Sequence, residues 1–166
     1  MLDLEGFFAG RGAQRRVAEF LVRRGLRVSS GGLVYAGDVE VKRSSIALLL
    51  GVDRRVVKST IESIAGDERM MKIFSRLNVT PYLRDLAPVL GYGVIEIIPS
   101  NAGKEGIIAG VTGLISEEGI GIRQVIADDP MFDNPELTVI TEKPIPRDLI
   151  DRMLNVEGVE KVVVLN

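Results

Sequence analysis

A chain of 166 residues with no His and no Cys lacks the side chains for imidazole acid–base catalysis, thiol nucleophiles, and zinc or iron–sulfur ligation. Hydrophobic residues make up 46% and charged residues 27%, which suits a packed core and argues against general disorder. No apolar run approaches the roughly 18 residues of a membrane span. The net charge of −2 divides unevenly: residues 1–90 hold 15 Lys/Arg against 10 Asp/Glu, and residues 91–166 hold 6 against 13. A basic front and an acidic back suggest two modules, 1–90 and 91–166, with different partners.

In the front module, Ala13 to Arg24 has apolar residues at helical spacing (Ala13, Val17, Phe20, Leu21), and Gly25 follows where a helix ends. Val28 to Tyr35 carries two β-favouring runs around Ser30-Gly31-Gly32 and predicts a hairpin, with Val39 to Val41 as a further short strand. Ser44 or Ser45 can cap a short helix bearing Ile46, Leu49 and Leu50, which Gly51 breaks. Asp53 caps the next helix, Arg54 to Ile64, where Val56, Val57, Ile61 and Ile64 gather on one face. Arg54, Arg55, Lys58 and Ser59 fall on the other.

A short helix, a Gly-containing turn and a second helix that is basic at its start make up a helix-turn-helix pattern. In that motif the second helix enters the major groove of double-stranded DNA, so Arg54, Arg55, Lys58 and Ser59 are the candidate DNA contacts. The same residues equally describe an amphipathic helix with a solvated face, and both readings stand. Further on, Asp67 to Leu77 reads as a helix, and Thr80-Pro81 as the start of another that carries Leu83, Leu86 and Leu90 and that Pro88 bends or ends. Gly91-Tyr92-Gly93 marks the module boundary.

The back module reads as strand, helix, strand, strand, helix, strand. Tyr92 to Ile98 is the first strand, and Ser100 to Gly106 is a glycine-rich turn. A helix from about Lys104 to Ile115 buries Ile107, Ile108, Val111, Leu114 and Ile115, and Ala109, Gly110 and Gly113 form a small face open to close approach. Ile120 to Ile126 and Leu137 to Thr141 are strands, Pro146 opens the second helix, and Gly158 turns into a strand from Val159 to Leu165. The fold class is therefore α+β, with a helical (winged) helix-turn-helix domain followed by a ferredoxin-like βαββαβ domain. Asp128, Asp129 and Asp133 could hold Mg²⁺ or Ca²⁺ through oxygen ligands, but a solvated loop has the same composition. No metal, cofactor or catalytic residue is assigned, because neither a Walker loop nor a G-x-S-x-G elbow is present.

The stretch Gly106-Ile107-Ile108-Ala109-Gly110-Val111, then Leu114, then Gly119-Ile120-Gly121-Ile122, resembles the opening of an ACT domain. Gly158-Val159 followed by Val162-Val163-Val164 is similar to that family's closing strand. With the front module and Ile122 to Pro130, the chain resembles the archaeal family described as predicted regulators of amino acid metabolism. The resemblance implies a non-enzymatic cytoplasmic regulator that senses an amino acid and pairs side by side as a homodimer. It places the ligand site at Asn101, Gly103, Lys104, Gly106, Ile107 and Ile108, with Gln124 available to an ammonium or side-chain group. One departure stands out: the family's acidic residue falls on Gly103 here, Asn101 lies two places earlier, and Lys104-Glu105 replaces a basic-proline pair. The rival expectation is an interaction protein that controls a metabolic enzyme, with the front module as its docking part. The start Met1-Leu2-Asp3-Leu4-Glu5 has no basic segment ahead of an apolar stretch, so a signal peptide is not expected.

Overall fold

A computed structural model describes residues 2–165. The chain forms two compact units, Met1–Pro81 and Tyr82–Asn166, and among the described residues no helix is long and apolar enough to cross a membrane.

The first unit begins with α1 (Leu4–Phe7) and α2 (Gly12–Arg23), followed by the strands β1 (Arg27–Val28), β2 (Val34–Ala36) and β3 (Val39–Val41). Helix α2 ends as the sequence expects: Gly25 takes the left-handed conformation (φ +63°), and the Gly25 and Leu26 N–H groups donate to the carbonyls of Val22 and Leu21. A Cβ at Gly25 would also lie 2.1 Å from the Asn78 carbonyl oxygen, so only glycine fits. The strands form an antiparallel sheet in the order β1-β2-β3. Its first hairpin is closed by Ser29, whose hydroxyl accepts from the Leu33 N–H at 3.1 Å.

Helices α3 (Arg43–Leu50), α4 (Arg54–Ala65) and α5 (Glu68–Phe74) complete the unit. Two expectations are corrected here. Helix α3 starts two or three residues earlier than a serine cap would allow; Lys42 holds the cap position and no side chain caps it. Its inward residues are Ile46 and Ala47, whereas Leu49 is 69% exposed. The apolar run Leu48-Leu49-Leu50 wraps around an eight-residue helix, so one helical face cannot bury all of it. Helix α4 matches its predicted start, since the Asp53 carboxylate accepts from the Arg55 N–H at 2.7 Å. It buries Val57, Thr60, Ile61 and Ile64 against α2 and α3. The three-stranded sheet precedes α3 and α4 in the chain and α5 follows them, so no hairpin comes after α4 within this unit.

The helix predicted from Thr80-Pro81 to Leu90 does not form. Residues 77–83 are irregular, 84–87 turn, and Pro88–Leu90 makes a single 3-10 turn that stops at Gly91 (φ +73°). Ala87 is itself in the helical region (φ −56°, ψ −45°), but Pro88 has no N–H to donate to the Arg84 carbonyl, so the turn that precedes it is not continued as an α-helix. Ala87 is instead drawn onto the sheet of the second unit, fully buried beside Val94 and Ile140. The compact division therefore falls nine residues ahead of Gly91, with Tyr82 to Leu90 packed as part of the second unit.

The second unit contains β4 (Gly93–Pro99), α6 (Ile107–Glu117), β5 (Ile122–Ala127), β6 (Leu137–Thr141), α7 (Arg147–Leu154) and β7 (Val159–Leu165). Its four strands are all antiparallel, in the order β5-β6-β4-β7. This is the ferredoxin-like βαββαβ topology expected from the sequence. Alternation along β4 sends Ile95 and Ile97 to a core shared with Val111 and Ile115 of α6 and Leu149 and Met153 of α7. Val94 and Glu96 point to the opposite face. The small face of α6 has one clear function: a Cβ at Gly110 would lie 2.7 Å from Val156, whereas one at Gly113 would meet nothing within 4 Å. Ile108, predicted to be buried, is 47% exposed: the buried stripe of α6 runs through Ile107, Val111 and Ile115, and the next residue after Ile107 lies about 100° round the helix from it.

Candidate functional site

The sequence-predicted ligand turn joins the end of β4 to α6. Ser100 is fixed to the α7–β7 corner, with its N–H donating to the Gly158 carbonyl at 3.0 Å and its hydroxyl donating to the same oxygen at 3.3 Å. The Asn101 side-chain oxygen accepts from the Gly103 N–H at 2.9 Å, and its carbonyl accepts from the Lys104 N–H at 3.0 Å. These bonds shape the turn itself, the role that a short amide side chain commonly takes. The Lys104 ammonium pairs with the Glu157 carboxylate at 2.7 Å. That bond and the charge of Lys104 hold the Glu157 carboxyl below the ordinary carboxylate range, against a small opposing effect of desolvation.

Gly106 then takes φ +90° at the cap position of α6, and no side chain caps the helix. A Cβ there would meet nothing within 4 Å, so the space over the first turn is open and the backbone conformation alone requires glycine. The Gly106 carbonyl accepts from the Gly110 N–H at 2.8 Å. The first N–H groups of α6 thus lie at the positive end of an eleven-residue helix without a side-chain acceptor, an arrangement that attracts a carboxylate. Ile107 is buried beneath the turn, and Ile108 stands exposed on the first turn.

Gln124 does not join this group within the chain. It pairs across β5–β6 with Ile140, which in turn pairs with Val94, at the opposite end of β4 from the turn after Pro99. It shares the Ile140 face of the sheet, away from α6, and its side-chain oxygen accepts from the Leu83 N–H at 3.1 Å. The β-strand period of two put Gln124 on one face or the other, and only the pairing register decided which. The acidic loop is shaped by local bonds as well: the Asp129 carboxylate accepts from the Met131 N–H at 2.9 Å. Among the described residues, no three acidic side chains gather as a metal site would require.

In the first unit, Arg54, Arg55 and Lys58 all lie exposed along the start of α4. Lys58 pairs with Glu62 one turn later at 3.6 Å. Ser59 is different: it is half-buried, donates to the Val56 carbonyl at 3.1 Å and accepts from the Gln14 amide at 2.7 Å. It ties α4 to α2 rather than facing outward with the three cations. A shallow depression of about 410 Å³ lies beside them, lined by Ser44, Ser45, Ala47, Leu48, Val52 and Arg54. Sequence reasoning had assigned Ser44 and Ser45 to capping. The surplus of leucines in a short helix was the one signal that part of α3 stays uncovered.

No family model matches the chain, and no curated protein matches it. Among solved structures, the ACT domain from GTP pyrophosphokinase of Chlorobium tepidum is similar over 45% of this chain and 96% of that domain, with 24% identity and a TM-score of 0.35. The C-terminal domain of the MgtC protein from Mycobacterium tuberculosis is similar over 45% of this chain and 83% of its own, with 22% identity and a TM-score of 0.35. The ligand-free regulatory subunit of aspartate kinase from Thermus thermophilus is similar over 45% of this chain and 51% of its own, with 18% identity and a TM-score of 0.35.

Proposed function

We propose that this chain is a non-enzymatic regulator that senses an amino acid through its second unit and meets double-stranded DNA through its first. The observation that carries the sensing half is the start of α6. A glycine at φ +90° presents uncapped backbone donors to open space, in a βαββαβ unit whose sequence resembles an ACT domain. A ligand carboxylate would take the place of the missing side-chain cap. The Asn101 side chain and Lys104 would act by holding the turn in shape, and Ile108 would offer apolar contact. Pairing of two copies through β5 is part of this reading: β5 is an edge strand, and Ile122 and Val125 on it are each 38% exposed. Gln124 lies on that same edge strand. The DNA half rests on Arg54, Arg55 and Lys58, which are exposed together at the start of α4 behind the Asp53 cap.

A thermal-shift screen of the twenty amino acids tests the sensing half, because a ligand bound by the folded state alone raises the melting temperature. The control is Gly106→Asn. Asparagine tolerates positive φ and would place its own oxygen over the first-turn donors of α6. The shift should vanish in this variant while the unliganded melting temperature stays the same or rises. Equal shifts in both proteins would place the ligand elsewhere.

One observation favours a second reading. Leu48 is 85% and Leu49 69% exposed on α3, beside the depression that reaches Arg54. An apolar centre of this kind suits a protein partner better than phosphate. In that reading the first unit docks on a metabolic enzyme that the second unit controls.

A further inference from the structure

The stretch from Tyr82 to Leu90 joins no strand ladder and makes only a turn at 84–87, where the Ala87 N–H donates to the Leu83 carbonyl at 2.8 Å, and the 3-10 turn at Pro88–Leu90. It nevertheless lies across the sheet face opposite α6 and α7, because Ala87 is buried with Val94 and Ile140 on that side. Three polar contacts fasten it, each to a different strand. Arg84 pairs with Glu96 of β4 at 2.5 Å, the Tyr82 and Thr138 hydroxyls meet at 2.7 Å on β6, and the Leu83 N–H donates to Gln124 of β5 at 3.1 Å. The apolar hold is slight by comparison. Ala87, Val94 and Ile140 are buried in this cluster with Leu83, Tyr92 and Leu165 packed half-buried around them, while Leu86, Val89 and Leu90 are exposed. Glu96, by contrast, is just 6% exposed.

A buried carboxylate that loses its partner is strongly unfavourable. The guanidinium of Arg84 is held above its ordinary value: burial works against its charge, and the Glu96 carboxylate outweighs that effect. The attachment is therefore local, polar and centred on one ion pair, whereas the other side of the same sheet is sealed by an apolar core. Segments with few buried apolar contacts open independently of the global fold. This segment also follows directly on the first unit in the chain.

We propose that residues 82–90 are a releasable strap, latched onto the sheet by Arg84–Glu96 and able to detach while the rest of the second unit stays folded. Release uncovers Val94, Ile140 and Glu96 and frees up to roughly 30 Å of extended chain as a tether following the first unit. The inference needs neither a bound amino acid nor DNA, so it stands or falls apart from the reading above.

Hydrogen exchange on the full chain tests it, with limited trypsin cleavage after Arg84 as a second readout. In Glu96→Gln, exchange over residues 83–92 and cleavage at Arg84 should each rise about tenfold or more, while amides of β6 and α7 keep their protection. Replacing the pair by apolar groups, Arg84→Met with Glu96→Leu, should restore protection over 83–92. Unchanged exchange in Glu96→Gln would overturn the proposal, and so would a rise shared equally by β6 and α7. Should Glu96→Gln fail to fold, Tyr82→Phe decides. It removes only the hydroxyl contact with Thr138, and the proposal requires about a threefold rise confined to the strap.

Discussion

At the scale of single residues, the glycine-rich turn before α6 is held together by contacts that the sequence could not show. Lys104 is half-buried and reaches 53 positions along the chain to Glu157. Because the Glu157 carboxyl is lowered in the folded chain, its pairing stabilises above the ordinary carboxylate range and is lost as acid takes it through the lowered value. In Lys104→Met the Glu157 carboxyl should return toward ordinary values, which a carboxyl-detected NMR titration would follow. An unaltered titration would mean that the pair does not persist in solution. Asn101 follows the same lesson, since its oxygen is spent on Gly103 and its residue type alone suggested a ligand contact.

At the scale of elements, the helices follow their local signals and their neighbours set the exceptions. Asp53 caps α4 as its position predicted, and Asp53→Ala should lower stability by about 0.5–2 kcal/mol in a urea melt, with the slope unchanged. The glycines of α6 separate sharply: Gly110 meets Val156, and Gly113 meets nothing. Gly110→Leu should therefore destabilise by about 1–3 kcal/mol through overpacking. Gly113→Ala should stabilise slightly, by up to about 1 kcal/mol, from helix propensity. The reverse order in paired melts would contradict the packing described here. Their shared composition gave one expectation for both, and only the position of α7 and its following turn distinguished them.

For the whole molecule, the charge division along the sequence has a structural counterpart, with Arg54, Arg55 and Lys58 exposed in the first unit. If these cations meet phosphates, duplex DNA should bind with an affinity that falls steeply with salt. Arg54→Ala with Lys58→Ala should weaken it and flatten that dependence. Both side chains are exposed, so the double variant should melt within about 0.5 kcal/mol of the parent. Fluorescence anisotropy across a salt series reads this directly. A salt slope unchanged by the double variant would move preference to the protein-docking reading, with Leu48 and Leu49 as its centre.

The sequence by itself determined the α+β class, the βαββαβ order, the capped start of α4 and the bounds of β6, because periodicity, capping carboxylates and glycine turns act within a few residues. It also located the glycine-rich turn before α6, whose positive φ is a local property of the backbone. The tertiary structure alone decided which face Gln124 occupies, that Ser59 belongs to α2 as much as to α4, and that Lys104 and Glu157 form a pair. It also turned the predicted helix after Thr80-Pro81 into a strap. The apolar spacing of Leu83, Leu86 and Leu90 fitted a helix, but Pro88 weakened that choice, and the sheet offered Ala87 a buried place and Arg84 a buried countercharge. Such outcomes depend on strand register and on contacts between residues far apart in the chain, which local patterns do not encode.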